Sequence, residues 1–142
     1  MSSVWPVLHY HDTNAAVRHL VDVFGFTEVV AATDDVGDVV HAELSWPGGG
    51  TLVLGGTKHA DSVHQDLPAG TAAIYVITAD PGAVHERVVR ARGDVVEAPQ
   101  ETRFGSGATS TVFTARDPEG TMWTFGTYAG PPADRSGDEP DR

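Results

Sequence analysis

A short turn and the strand that follows it constrain this chain more than any other segment. Residues 116–120 read Arg-Asp-Pro-Glu-Gly, where the proline fixes φ and the final glycine permits a positive φ. Residues 122–125 are aromatic and β-forming side chains that alternate between two faces. The pattern predicts a tight turn between antiparallel strands, with Trp123 and Phe125 packed against a helix.

An earlier segment repeats this signal. Gly50-Thr51 is followed after four residues by Gly56, as Gly120-Thr121 is followed after four residues by Gly126, and a proline turn precedes each. Such a match suggests that the chain is doubled, with residues 50–56 equivalent to residues 120–126.

Helix signals are repeated in the same order. Asp12 is placed to begin the first helix and Gly25 to end it, while Asp80 and Gly93 do the same for the second. Strand patterns surround them at residues 4–10, 26–33, 39–46 and 51–54, and again at 71–78, 95–98, 110–115 and 122–127. The order predicts two tandem β-α-β-β-β modules, at about residues 4–56 and 71–128.

The chain of 142 residues is long enough for one domain. Neither module could bury a sheet alone, so we expect an α+β fold in which both modules pack as a single domain over residues 1–129. Residues 130–142 carry four acids, two arginines and several prolines and glycines, and we expect a disordered acidic tail there.

Composition excludes several classes of function. The net charge of −11 argues against a nucleic-acid partner and favours neutral or cationic small molecules. With no cysteine, the chain has no thiolate nucleophile and no thiolate metal site. No apolar run is long enough to cross a membrane, and no signal peptide is recognisable, so we expect a cytoplasmic protein.

Three motifs together resemble the vicinal-oxygen-chelate superfamily, which includes glyoxalases, bleomycin-resistance proteins and ring-cleaving dioxygenases. They are Trp5-Pro6-Val7-Leu8-His9-Tyr10-His11-Asp12, His41-Ala42-Glu43-Leu44, and the 116–120 turn with Trp123-Thr124-Phe125-Gly126-Thr127-Tyr128. The resemblance implies two cupped mixed sheets that line a cavity, and a homodimer. It does not imply one activity, because this architecture hosts isomerases, lyases, dioxygenases, transferases and drug-binding proteins.

The resemblance also implies where a metal would bind. In metal-dependent members, the ligands lie seven residues before each helix-opening aspartate and four residues after each turn glycine. The equivalent positions here are Trp5, Leu54, Ala73 and Thr124. None offers an imidazole or a carboxylate, so we expect neither the family's metal nor any other cofactor.

The same face is predicted to form a small-molecule pocket instead. Alternation from Trp5 and Thr124 places aromatic, apolar and a few polar side chains together, a typical composition for such a site. The predicted ligand-binding residues are Trp5, Val7, His9, His41, Glu43, Leu54, Tyr75, Met122, Thr124 and, from a glycine-rich loop that the resemblance makes a lid, Phe104.

Two kinds of function remain open at this point. The first is a metal-free protein that binds a planar aromatic or hydrophobic ligand, including a cationic one. The second is a glyoxalase-like enzyme of the lyase, isomerase or dioxygenase class, with His9, His41 and Glu43 as candidate catalytic residues or as a relocated metal site.

Overall fold

A computed structural model describes residues 2–58, 67–103 and 109–131. The first module contains β1 (Val7–Tyr10), α1 (Thr13–His19, continued by a π-helical turn over Leu20–Phe24), β2 (Thr27–Thr33), β3 (Val39–Ser45) and β4 (Thr51–Gly56). The second contains β5 (Ala73–Ile77), α2 (Pro81–Arg90), β6 (Asp94–Arg103), β7 (Thr109–Arg116) and β8 (Met122–Gly126). The predicted α+β fold of two β-α-β-β-β modules is confirmed. The predicted acidic tail, from residue 132 onward, lies outside the described residues.

The two aspartates begin the helices as predicted. Asp12 Oδ1 accepts a hydrogen bond from the Ala15 amide over 3.0 Å, and Asp80 Oδ1 accepts one from the Ala83 amide over 3.1 Å. These bonds satisfy amides that have no partner within the first turn of a helix.

Neither helix of the described chain is long and apolar enough to span a membrane.

The helix ends follow the prediction at only one of the two sites. Gly25 ends the first helix in the left-handed conformation, with φ of 103°. The second helix ends at Arg90, and Arg92 takes the left-handed conformation with φ of 59°. Position 93 needs a glycine for a different reason. There is no room for a side chain, because a Cβ at that position would lie 2.9 Å from Val88 Cγ1. The prediction that Gly93 ends the second helix is therefore wrong in position, since the helix ends at Arg90 and Arg92 is the left-handed residue that follows.

Each module forms one four-stranded mixed sheet. The strand orders are β1-β4-β3-β2 and β5-β8-β7-β6, and the first two strands of each order run parallel. One face of each sheet packs against the helices and supplies the core, including Leu8, Tyr10, Leu44, Leu54, Phe113, Trp123 and Phe125. The other face, called here the open face, is not covered by the helices.

The repeat is offset by one residue from the one that the glycine pattern predicts. In the first turn the Gly49 amide donates to the Trp46 carbonyl over 2.8 Å, and in the second the Gly120 amide donates to the Asp117 carbonyl over 3.0 Å. Gly49 rather than Gly50 is therefore the equivalent of Gly120. The misassignment arises because three consecutive glycines, residues 48–50, precede the strand.

This offset corrects one predicted site residue. Leu54 pairs with Leu8, as Phe125 pairs with Val76, and both lie on the helix-covered face. Leu54 is completely buried in the core, so it is not available to a ligand on the open face. Its neighbour Val53 has the position that Thr124 has in the second module.

The two modules share one core, and contacts from each module to the other join them. The Phe24 ring lies 5.0 Å from that of Phe125, across the boundary between modules. The Trp46 indole donates to the Ile77 carbonyl over 3.1 Å, and the Glu119 carboxylate accepts the amide of His11 over 2.7 Å. Each module's last turn thus docks where the first strand of the other module ends.

Candidate functional site

The open face of the first sheet carries a row of two imidazoles with a glycine between them. His9 on β1 and His41 on β3 are both in register with Gly55 on the intervening β4. The His9 ring lies on this glycine, since a Cβ there would be only 3.4 Å from His9 Cδ2. A glycine inside a strand commonly marks such close approach. The His9 ring therefore occupies the space above Gly55 that a side chain would fill, in the same row as His41, and this row of His9, Gly55 and His41 is called here the strip.

His41 is joined to an acidic neighbour in the next row. His41 Nε2 and Glu43 Oε2 are 3.0 Å apart, and the two side chains are 46% and 29% exposed. Val7 and Val53 continue the row of Glu43 across the sheet, and Val7 is 42% exposed. The open face of the first sheet therefore combines apolar side chains with one carboxylate and two imidazoles.

The second sheet has a related arrangement. Tyr75 on β5 lies against Gly126 on β8, where a Cβ would be 2.6 Å from the Tyr75 hydroxyl oxygen. That hydroxyl donates to the Tyr128 carbonyl over 2.8 Å, which holds the ring in place. With the corrected offset, Gly126 is equivalent to Gly55. Each module therefore places a ring from its first strand on the same glycine of its last strand.

The remaining predicted residues of the second sheet also lie on its open face. Thr124 pairs with Tyr75 in register, and its hydroxyl oxygen lies 2.8 Å from that of Thr114. Met122 pairs with Ala73 on one side and with Arg116 on the other. The side chains of Met122 and Thr124 are partly exposed, and Thr124 is the one in register with Tyr75.

The structure does not bring all predicted residues into one enclosed pocket. Val7 and His9 line a recess of about 150 Å³ between β1 and residues 67–72, whereas Tyr75 lines other recesses at the module boundary. Trp5 precedes β1, is 44% exposed, and donates its indole hydrogen to the Ser2 carbonyl. Phe104 and its loop lie outside the described residues.

A metal does not fit the positions that bind it elsewhere in this architecture. Trp5, Val53, Ala73 and Thr124 contribute one hydroxyl and no imidazole or carboxylate, which is an unsuitable donor set for a divalent metal. Within residues 2–58, 67–103 and 109–131, no three histidine, aspartate or glutamate side chains are grouped so as to hold a metal ion. His9 and His41 are themselves separated by the whole of β4.

The two strand glycines are functional candidates that sequence reasoning missed. Gly55 and Gly126 lie at the ends of strands that otherwise carry bulky residues, and this change in side-chain size was the available signal. Without the register, however, the sequence does not show that a ring from the neighbouring strand covers each glycine.

Comparisons with known proteins agree with this architecture. A family model described as the Glyoxalase/Bleomycin resistance protein/Dioxygenase superfamily matches residues 4–125. The structure of TioX from Micromonospora sp. ML1 is similar, with 27% identity, a TM-score of 0.75, and coverage of 91% of this chain and 100% of TioX. TnmS3, an antibiotic binding protein from Streptomyces sp. CB03234, matches with 20% identity, a TM-score of 0.64, and coverage of 88% of this chain and 94% of TnmS3. The search of curated proteins found no match.

Proposed function

The chain belongs to the glyoxalase/bleomycin resistance protein/dioxygenase superfamily, and we propose that it binds a small molecule on its open sheet face without a metal. The observation that carries this proposal is the row His9, Gly55 and His41. Because Gly55 carries no side chain, the His9 ring lies close to the sheet in a row with His41, and the two imidazoles offer ring surfaces against which a planar ligand can pack. The absence of donors at the family's metal positions supports binding that does not use a metal.

The side chains around this strip indicate the class of ligand. Exposed apolar groups at Val7 and Val30 favour an aromatic or hydrophobic body. Glu43 supplies a carboxylate beside the strip, and the chain's net charge of −11 attracts cations and repels anions. We therefore propose a planar aromatic or hydrophobic ligand, including cationic compounds. The antibiotic binding named for TnmS3 is a precedent for this use of the fold.

A homodimer is part of the same proposal. The open faces expose large apolar side chains, among them Val30 and Ile77, which are 40% and 50% exposed. A second copy of the chain packed against the open face of the first sheet would cover Val30 and enclose the recess lined by Val7 and His9. Light scattering coupled to size-exclusion chromatography tests this directly, and a mass of 15.0 kDa for the eluting species would contradict it.

The binding proposal is tested with a panel of planar compounds. Matched cationic, neutral and anionic aromatic compounds are screened by thermal shift, and those that stabilise the protein are titrated by calorimetry. The decisive variant is Gly55→Val, whose side chain takes the space above residue 55 and displaces the His9 ring from it. Its control is Ala31→Val, which adds a similar side chain to an exposed position of β2 on the opposite face. Binding that survives Gly55→Val would contradict the proposed site.

One observation favours acid-base catalysis as a second candidate. The contact of 3.0 Å between His41 and Glu43 is the geometry in which a carboxylate orients an imidazole that acts as a general base. Mutation of His41 to alanine separates the two candidates once a ligand is known. A binding protein would lose some affinity only, whereas an enzyme would keep its affinity and lose turnover of that compound.

A further inference from the structure

A cleft at the boundary between the modules lies apart from the His9, Gly55 and His41 strip. Its volume is about 640 Å³, which is in the range of small-molecule sites. One wall is the turn 46–49 of the first module, and the opposite wall is the connection 77–80 with the first turns of α2. We propose that this cleft is a second small-molecule site, selective for planar aromatic carboxylates. The inference does not depend on the open-face proposal.

Trp46 provides a rigid aromatic wall. Its indole nitrogen donates to the Ile77 carbonyl over 3.1 Å, and its ring packs edge-on against Phe26 with centroids 4.9 Å apart. The side chain is held from two sides yet remains only half-buried, so part of its surface faces the cleft. A ring fixed before binding loses little conformational entropy when a flat ligand packs on it.

Arg87 supplies the charge that selects an anion. Its Nε donates to the Val23 carbonyl over 2.8 Å and its Nη2 to the Phe24 carbonyl over 3.0 Å. Both partners are neutral, and Arg87 forms no ion pair with any residue of the described chain. The guanidinium is thus oriented by the backbone, while no carboxylate of the described chain forms an ion pair with it. A carboxylate is the planar partner that this group recognises best.

Glycine makes room for the guanidinium. A Cβ at Gly25 would lie 2.9 Å from Arg87 Nη2, and Gly25 also has φ of 103°, which disfavours other residues. At Gly49, on the opposite wall, a Cβ would meet nothing within 4 Å. The guanidinium therefore fits because residue 25 has no side chain, and the opposite wall of the cleft leaves space open at Gly49.

The surroundings favour one negative charge over several. Asp80 lines the same cleft, and its Oδ1 caps α2 through the Ala83 amide. A polyanion would be repelled by this carboxylate and by the net charge of −11. The exposed Ile77 side chain adds an apolar contact for the body of the ligand.

The test uses 2-naphthoate as the probe and neutral 2-naphthamide as its uncharged counterpart. Two variants change the cleft: Ala83→Leu fills it without removing a side-chain hydrogen bond, and Arg87→Gln removes the charge. Their matched controls are Ala91→Leu and Arg90→Gln, at exposed positions near the end of α2. Affinities are measured by calorimetry, and ¹⁵N NMR follows the Trp46 indole and Arg87 Nε–H signals.

We expect 2-naphthoate to bind at least tenfold more tightly than 2-naphthamide, and to shift both NMR signals. Ala83→Leu should weaken binding at least tenfold although it keeps the Arg87 contacts, and both control variants should bind normally. Gly55→Val should bind 2-naphthoate as the native chain does, which separates this inference from the open-face proposal. Equal affinity for the two probes, full binding by Ala83→Leu, or no binding of 2-naphthoate would overturn the inference.

Discussion

The hydroxyl of Tyr10 donates a hydrogen bond of 2.5 Å to Asp117 Oδ2 and thereby joins β1 of the first module to the last turn of the second. Both residues are buried, and the Trp123 indole donates to the same oxygen over 3.0 Å. Asp117 Oδ1 accepts the amides of Glu119 and Thr121, so the whole carboxylate is hydrogen-bonded. A buried carboxylate requires such partners, and here they come from both modules.

The first prediction concerns the stability that this contact provides. Tyr10→Phe should lower the free energy of unfolding by about 1.5–3 kcal/mol, because it removes a hydrogen bond to a buried charged group. Urea denaturation followed by circular dichroism measures the change. Tyr75→Phe is the control, since the Tyr75 hydroxyl bonds a neutral carbonyl and its side chain is 40% exposed. An equal loss in both variants would contradict the role given to Asp117.

The second prediction is a dependence on alkaline pH. Burial, and then the charge of Asp117, raise the pKa of Tyr10 well above its usual value of 10.0. A raised pKa means that the folded state keeps the proton, so the contribution to stability is complete below pH 10 and declines above it. The stability advantage of the native chain over Tyr10→Phe should therefore shrink as pH rises from about 10 to 11. A difference that is constant over this range would contradict the prediction.

The third prediction concerns acid pH and His19. Its Nε2 is buried without a hydrogen-bond partner in the described structure, and its ring lies edge-on to Phe24 at 4.8 Å. Burial lowers the pKa of His19 below 6.5, partly opposed by Asp117. Stability is therefore complete above that value and is lost as pH falls. His19→Leu should reduce the loss of stability between pH 7 and pH 5 in thermal unfolding scans. An unchanged loss would show that His19 stays neutral or exposed.

A pair of neighbouring substitutions tests the register of β4. Leu54→Ala should cost about 2–5 kcal/mol of unfolding free energy, because it leaves a cavity in the core. Val53→Ala should cost less than half as much, since Val53 faces the open side, but it should weaken ligand binding there. Chemical denaturation and calorimetry measure the two effects. A larger stability loss in Val53→Ala would support the register with Gly50 as the equivalent of Gly120.

The sequence contained enough to predict the modules, the aspartates that begin both helices and the buried positions of Trp123 and Phe125, because these depend on local periodicity and turn chemistry. The register of β4 was not predictable in the same way. Residues 48–50 are all glycine, and only the backbone hydrogen bonds of the turn decide which one is equivalent to Gly120.

The candidate site was predictable only in part for a related reason. Alternation along β1 and β3 placed His9, His41 and Glu43 on one face, as found. The row of His9, Gly55 and His41 depends on the order of three strands in the sheet, and a local sequence pattern does not predict that order. The contact between Arg87 and the first module joins residues 64 positions apart, and it too depends on tertiary packing.

The most direct test of the proposed function is to titrate the tightest-binding compound of the planar panel into protein dialysed against a chelator, and then into protein supplied in turn with nickel, cobalt, manganese, iron and zinc. We predict dissociation constants that agree within about twofold under all conditions, since packing of a planar ligand on the two rings requires no metal. Gly55→Val should weaken binding at least tenfold, because its side chain displaces the His9 ring. Binding that appears only when a metal is restored would contradict the account, and it would assign the site to metal ligands other than the family positions.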